Sequence, residues 1–192
     1  MIVVSDTSPI NYLLAIGQIE VLPKLFGTII IPSSVMAELQ AAEAPAANLR
    51  WLANLPAEFQ TRSATRLDRS LDLDAGEREA ICLAGELSAA AVLMDEKKGR
   101  AIARQRGLAV IGTIGILEKA ASLQLLELET TLAALQQTTF YGSEAAIQSR
   151  NHFRMRVRGE IGCGATADHP PTDHLEDSRA SSTRILKERV KP

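Results

Sequence analysis

Short apolar runs alternate with helical patterns along residues 1–138, and this order predicts an α/β fold. The runs are aliphatic, often β-branched, and four of them stand out: residues 2–4, 28–31, 91–94 and 108–111. A strand that is apolar throughout is typical of a parallel sheet buried on both faces. Each run is followed by one or more segments of helical periodicity, which implies right-handed crossovers and a mostly parallel sheet.

The first strand-to-helix junction places an acid at the end of a strand. The apolar run 2–4 stops before Asp6, and we expect Ser8 to cap the next helix and Pro9 to take its first position. Asp6 would then lie at the carboxyl end of a central strand, which is where open parallel sheets bind ligands. The alternative is that Asp6 only caps the helix.

The remaining helices are predicted from their periodicity and their end signals. Ser33 is expected to cap a helix that runs to Leu39, and residues 45–55 predict a helix with Leu49, Trp51, Leu52 and Leu55 as packing positions. Later helices are predicted at residues 76–87, 96–106, 114–122 and 125–138. Residues 56–73 are polar and irregular, and they predict a connection with one short edge strand at most.

Three further acids share the situation of Asp6. Glu38 and Glu77 lie on helix stripes that carry apolar side chains, and Asp95 directly follows the apolar run 91–94. An ionised group in such a position must face a crevice or carry a burial cost. We therefore expect Asp6, Glu38, Glu77 and Asp95 to converge at one edge of the sheet.

A cluster of four carboxylates is stable only when a cation neutralises their repulsion. Oxygen ligands favour Mg²⁺ or Mn²⁺ over zinc. The chemistry that follows is metal-assisted attack of water on a phosphodiester. We accordingly predict that these four acids are both the metal ligands and the catalytic residues.

Each acid also has a purely structural interpretation. Glu77 is placed to form a capping box with Asp74, and Asp95 is placed to cap the helix that follows it. Glu38 has the alternative of being a semi-exposed surface acid. Four other acids are expected to be mainly solvated or capping residues: Asp72, Asp74, Glu79 and Glu96.

A basic helical face follows Asp95. Lys97, Arg100 and Arg104 are spaced at i, i+3 and i+7, and this face is predicted to hold an RNA backbone over the metal site. The alternative is a solvated face with an ion pair between Glu96 and Arg100.

Composition restricts the other possibilities. The formal net charge of -2 argues against a protein coated in basic residues, and two cysteines 81 positions apart give neither a disulfide framework nor a zinc site. No apolar run is long enough to span a bilayer, so we expect a cytoplasmic protein without membrane contact. No Gly-x-Gly-x-x-Gly follows a strand, which disfavours a dinucleotide enzyme.

Composition changes after residue 150, where only 12 of 42 positions are apolar and all three histidines occur. We predict a domain at residues 1–140, then a helical extension and a largely disordered tail at 141–192. His169 and His174 lie in a proline-broken segment, which lacks the rigidity that a metal site requires.

Four segments resemble the PIN-domain family in sequence and in order. They are residues 3–9, 31–39, 73–81 and 92–96, and residues 110–117 resemble the closing segment of its short, uncharacterised prokaryotic branch. The resemblance covers residues 1 to about 125 and implies an α/β/α sandwich with a central, mostly parallel sheet. It differs at Met94, where many relatives carry a small hydroxyl residue.

The resemblance also implies an activity. Many PIN domains are Mg²⁺- or Mn²⁺-dependent ribonucleases, including VapC-type toxins that are inhibited by an antitoxin. On this basis Asp6, Glu38, Glu77 and Asp95 match the family's metal-binding acids, with Thr7 or Ser8 as a polar neighbour. We therefore predict a metal-dependent endoribonuclease, with an antitoxin and a second copy of the chain as possible partners. The alternative is a non-catalytic nucleic-acid-binding or regulatory module.

Overall fold

A five-stranded sheet organises the computed structural model, which describes residues 1–142. Its order is β3-β2-β1-β4-β5, and all four strand pairings are parallel. The strands are β1 Ile2–Ser5, β2 Thr28–Pro32, β3 Phe59–Arg62, β4 Ala91–Leu93 and β5 Val110–Ile111. The predicted parallel sheet is therefore confirmed, with β3 as the short edge strand expected in the irregular connection.

Eight helices connect and cover these strands in the described part of the chain. They are α1 Thr7–Ala15, α2 Val21–Phe26, α3 Ser33–Leu39, α4 Ala46–Leu52, α5 Ala75–Glu86, α6 Lys97–Gln105, α7 Thr113–Ser122 and α8 Leu128–Gln136, followed by a 3-10 turn at Thr139–Gly142. None of the helices within residues 1–142 is long and apolar enough to cross a membrane.

Neighbouring residues of each central strand enter different cores, as a sheet buried on both faces requires. Val3 packs with Leu93 in one apolar core, which also contains residues of α1, α2, α7 and α8. Val4 packs with Val92 in a second core, against residues of α5 and α6. The sheet thus lies between two helical layers, and the predicted α/β/α sandwich is confirmed.

Several helix starts differ from the prediction. Helix α1 begins at Thr7, so Asp6 rather than Ser8 is the N-cap residue, and Pro9 is the third helical residue instead of the first. Proline is tolerated there because the first four N–H groups of a helix have no intrahelical acceptor. Helix α3 begins at Ser33 itself, whose hydroxyl is 2.6 Å from that of Ser63 and makes no cap.

Helix α4 packs through fewer residues than its pattern predicts. Trp51, Leu52 and Leu55 lie against the first core, but Leu49 is 48% exposed. The buried residue of this helix is Asn48, whose amide donates a hydrogen bond of 2.7 Å to the side chain of Asn11 in α1. The predicted extension and tail at residues 141–192 lie outside the described residues, apart from the end of the 3-10 turn.

Candidate metal and nucleic-acid site

Asp6 and Glu38 meet at the carboxyl end of β1. Asp6 directly follows this strand, and its backbone N–H donates to the Leu93 carbonyl of neighbouring β4 at 2.9 Å. Glu38 belongs to α3, and its Oε2 accepts a hydrogen bond from the hydroxyl of Thr7, the first residue of α1. A methyl group added to Gly76 would lie 3.0 Å from Glu38 Oε1 and 3.4 Å from Asp6 Oδ1. The absence of a side chain at Gly76 therefore lets the two carboxylates approach the start of α5.

The carboxylate of Asp6 is not used as a helix cap. Its backbone is extended, with φ -74° and ψ 171°, but the side chain makes no capping hydrogen bond to α1. It is nevertheless almost completely buried, with 5% of the residue exposed. The alternative interpretation, in which Asp6 only caps a helix, is thus not supported by its contacts.

Glu77 adds a third carboxylate from the first turn of α5. Asp74 caps this helix by accepting a 2.9 Å hydrogen bond from the Glu77 N–H, and the Asp74 N–H in turn hydrogen-bonds the Glu77 carboxylate, so the capping-box interpretation holds for this pair. The Glu77 side chain is buried against α6, where a methyl group at Gly99 would lie 2.5 Å from its Oε1. Among the hydrogen bonds of residues 1–142, none reaches this buried oxygen.

Burial and nearby negative charges raise the pKa values of Asp6 and Glu77. Burial raises the pKa of Asp6 to about 7, and the N–H of Thr7 opposes part of the shift. The negative charges of Glu77, Asp74 and Glu38 raise the pKa of Asp6 further. Burial likewise raises the pKa of Glu77 to about 7, with a smaller contribution from the charge of Asp74, and the N–H of Asp74 opposes part of the shift. We call Asp6, Glu38 and Glu77 the Asp6 cluster.

Asp95 follows β4, the strand beside β1, but its carboxylate has different partners. Thr113, the first residue of α7, donates its N–H to Oδ1 at 2.8 Å and its hydroxyl to Oδ2 at 2.6 Å. Burial raises the pKa of Asp95, and these two hydrogen bonds oppose the shift. The alternative in which Asp95 caps α6 is wrong, because Glu96 occupies the N-cap position.

The three predicted RNA-binding residues all lie on α6, but their surroundings differ. Lys97 and Arg104 are exposed, whereas Arg100 is half-buried and points toward Asp95. A methyl group at Gly112 would be 3.0 Å from Asp95 Oδ1 and 3.3 Å from Arg100 Nη1. Burial lowers the pKa of Arg100, while Asp95 acts in the opposite direction. Arg100 makes no ion pair with Glu96 within the described residues, so that part of the alternative is wrong, whereas the exposure of Lys97 and Arg104 is compatible with a solvated face.

The donor set fits a divalent cation in its chemistry. All four side chains offer only oxygen ligands, as Mg²⁺ and Mn²⁺ prefer, and the unpaired Oε1 of Glu77 lacks the partner that a buried oxygen needs. In their present positions no three acidic, histidine or cysteine side chains within residues 1–142 are close enough to bind one ion together. A cation would therefore have to draw these carboxylates together.

Sequence reasoning overlooked two polar residues of this region. Glu79 was expected to be solvated or capping, but it is 6% exposed and accepts hydrogen bonds from the N–H of Ser34 at 2.7 Å and of Ala64 at 3.1 Å. Thr113 was noted only as part of a closing segment, yet it holds Asp95. Its position directly after the strand-end Gly112 was the available signal, because polar residues at strand ends face the ligand edge of a sheet.

Comparison with known proteins gives a family match over most of the chain. The family model DUF3368, described as a PIN domain, matches residues 2–152. A solved structure of a PilT N-terminus domain protein from the hyperthermophilic archaeon Sulfolobus solfataricus P2 is similar at 18% identity, with a TM-score of 0.46. That match covers 62% of this chain and 93% of the archaeal chain. A search of functionally curated proteins finds no match.

Proposed function

The chain belongs to the PIN-domain family, and from this premise we propose that it is a Mg²⁺- or Mn²⁺-dependent endoribonuclease. PIN domains are nucleases in general, so the metal, the RNA substrate and the internal cleavage are what the proposal adds. The observation that carries it is the unpaired, buried Oε1 of Glu77 beside a second acid, Asp6, whose pKa is also raised to about 7. Such a group of acids is costly unless a cation binds there.

Each acid has a distinct role in this proposal. Asp6, Glu77 and Asp95 would hold the principal ion, and Glu38 would complete the ligand set or orient the attacking water. The ion supplies two effects when bound: it neutralises charge on the phosphate and increases the acidity of a water molecule. The hydrogen bond from Thr7 to Glu38 fixes that carboxylate at the rim of the Asp6 cluster.

Three basic side chains of α6 are assigned to different phosphates of the RNA backbone. Arg100 lies beside Asp95 at Gly112, so we assign it to the phosphate nearest the carboxylates. Lys97 and Arg104 are exposed and are assigned to neighbouring backbone phosphates. Contacts of this kind to the sugar–phosphate backbone bring affinity without sequence preference and weaken with salt.

A toxin role, an antitoxin partner, a homodimer and a cytoplasmic location stay predictions from the sequence. In the toxin role, the antitoxin would be a second protein that inhibits the nuclease. If the protein does not cleave RNA, the alternative function is a non-catalytic nucleic-acid-binding or regulatory module.

The test is cleavage of a mixed RNA pool by the purified protein with Mn²⁺ or Mg²⁺. Asp6→Asn keeps the size of the side chain but removes its charge. Asp72→Asn makes the same chemical change at a side chain that is 96% exposed, and it serves as the matched control. We expect cutting by the wild type and by Asp72→Asn, and a loss of at least about 100-fold in Asp6→Asn and in EDTA.

Two results would contradict the proposal. Equal cutting by the wild type and Asp6→Asn would assign the activity to a contaminant. Absence of cutting by any sample, with unchanged RNA affinity in Asp6→Asn, would favour the binding module.

A further inference from the structure

Asp95 differs from the other three acids in being held by hydrogen bonds to both of its carboxylate oxygens. Both bonds come from Thr113, through its N–H at 2.8 Å and its hydroxyl at 2.6 Å. Thr113 is completely buried and begins α7, so its donors are fixed by the helix and by the surrounding core. The orientation of Asp95 is thus set by an element that follows it by 18 positions in the chain.

We propose that Thr113 is a positioning residue that fixes the Asp95 carboxylate for metal binding, an inference that rests on the proposed function. A carboxylate oxygen has two lone pairs, so each oxygen of Asp95 can accept from Thr113 and retain one for a cation. Partners in the second coordination layer orient ligands in this way, and their loss typically weakens metal binding 10–100-fold.

The residue before Thr113 supports the same interpretation. A methyl group at Gly112 would lie 3.0 Å from Asp95 Oδ1, which is tighter than ordinary van der Waals contact. The backbone at the end of β5 therefore passes close to the carboxylate and leaves Thr113 directly beside it. The competing interpretation is structural only: Thr113 would join β4 to α7 without any effect on a bound ion.

Three variants separate these interpretations. Thr113→Val preserves the shape of the side chain and the backbone N–H but removes the hydroxyl donor, whereas Thr113→Ser retains it. Thr131→Val is the matched control, because Thr131 is also buried and donates its hydroxyl to the Glu127 carbonyl at 2.6 Å within α8. Mn²⁺ affinity is measured by isothermal titration calorimetry, and kcat and KM for RNA cleavage are measured on the same samples.

We expect Thr113→Val to weaken Mn²⁺ binding by about 10–100-fold, with serine within about threefold of the wild type. Thr131→Val should bind Mn²⁺ as the wild type does, although it loses a buried hydrogen bond. Thr113→Val should lower kcat more than it raises KM, since RNA contacts on α6 are unchanged. If the valine variant does not fold, Thr113→Ala makes the same comparison without a branched side chain.

The outcomes separate failure of this inference from failure of the proposed function. Wild-type affinity in Thr113→Val, equal weakening in the serine variant, or equal weakening in Thr131→Val would each overturn the role of Thr113. In each of these cases the wild type would still bind Mn²⁺ and cut RNA, so the proposed function would stand. A wild type that neither binds Mn²⁺ nor cuts RNA would instead overturn the proposed function and this inference with it.

Discussion

Two glutamates in the first half of α5 are equally buried but have opposite surroundings. Glu77 is 5% exposed and Glu79 is 6% exposed. Glu79 accepts hydrogen bonds from the N–H and hydroxyl of Ser34 and from the N–H of Ala64, which ties α5 to the start of α3 and to the irregular connection. Glu77 faces α6 and the other two acids of the Asp6 cluster, and its Oε1 has no hydrogen-bond partner in the described part of the chain.

The difference shows that burial alone does not identify a functional acid. The protein itself supplies three donors to Glu79, so its charge is satisfied within the fold. Glu77 is left incomplete next to Asp6, and the repulsion between them is relieved only by protonation or by a cation. We therefore assign Glu79 to stability and Glu77 to the site.

The largest expected effect is on stability, at the satisfied glutamate. Glu79→Ala leaves the donors of Ser34 and Ala64 without their acceptor, which should lower the free energy of unfolding by about 2–4 kcal/mol. Mn²⁺ affinity of the folded protein should be unchanged. Denaturant unfolding followed by Mn²⁺ titration measures both quantities, and a stable variant with weakened Mn²⁺ binding would reverse the assignment.

The second prediction concerns the contact between Glu77 and α6. Gly99→Ala would place a methyl group 2.5 Å from both Glu77 Oε1 and Met94 Sδ, so both side chains must move. We expect the free energy of unfolding to fall by about 1–3 kcal/mol, as overpacking typically costs, together with weaker Mn²⁺ binding.

Gly85→Ala is the control for this prediction, since no atom lies within 4 Å of the added methyl group in α5. It should raise the free energy of unfolding by about 0.5–1 kcal/mol, because alanine is the better helix former. The two alanine substitutions should therefore change the free energy of unfolding in opposite directions. An increase in the free energy of unfolding of Gly99→Ala would show that Glu77 moves away from the added methyl group without any cost in stability.

The third prediction is a dependence of stability on pH. The folded protein retains the Glu77 proton up to a pKa of about 7, whereas the unfolded chain releases it near 4.5. Between these values the folded state binds more protons, so stability falls as pH rises, and the cost is complete above pH 7.

Glu77→Gln removes this cost. At pH 8 without metal it should raise the free energy of unfolding by about 1–2 kcal/mol, a value reduced for solvent screening, with little change at pH 4. Urea unfolding at the two pH values measures the difference. A variant that is less stable than the wild type at pH 8 would mean that the Glu77 charge is stabilised within the protein.

The smallest effect is expected at Asp68, a partly exposed carboxylate with good partners. Hydrogen bonds from Ser70 and Arg106 lower the pKa of Asp68 to about 2, yet this side chain is accessible to water. Asp68→Asn should leave the melting temperature unchanged within error, because surface pairs contribute little. A loss comparable to that of Glu79→Ala would show that partners matter more than burial.

Local patterns predicted the sheet well, because four of its five strands are encoded in contiguous apolar runs. Val3 and Val4 enter different cores, and residues 91–94 alternate between the two, as an apolar strand in a parallel sheet should. Helix starts were less accurate: Ser8 has the composition of a cap, but Asp6 already has the extended backbone that ends the strand.

The partners of polar side chains could not be predicted from local patterns. Glu79 bonds to Ser34 across 45 positions, and Asp95 bonds to Thr113 across 18. Helical periodicity within α5 does not reveal that α3 packs against this helix, and Glu79 is buried where it bonds to Ser34 of α3. Strand-end positions were the better guide, since they placed Asp6 and Asp95 on adjacent strands.

The central claim is that the unsatisfied acids form a divalent-cation site. Calorimetric titration of Mn²⁺ into the wild type, Glu77→Gln and Glu79→Gln tests it most directly, because both variants neutralise a buried glutamate of the same helix. We predict that the wild type and Glu79→Gln bind Mn²⁺ with similar affinity, and that Glu77→Gln binds at least about tenfold more weakly. Equal binding by Glu77→Gln and the wild type, or no binding by the wild type, would contradict the claim.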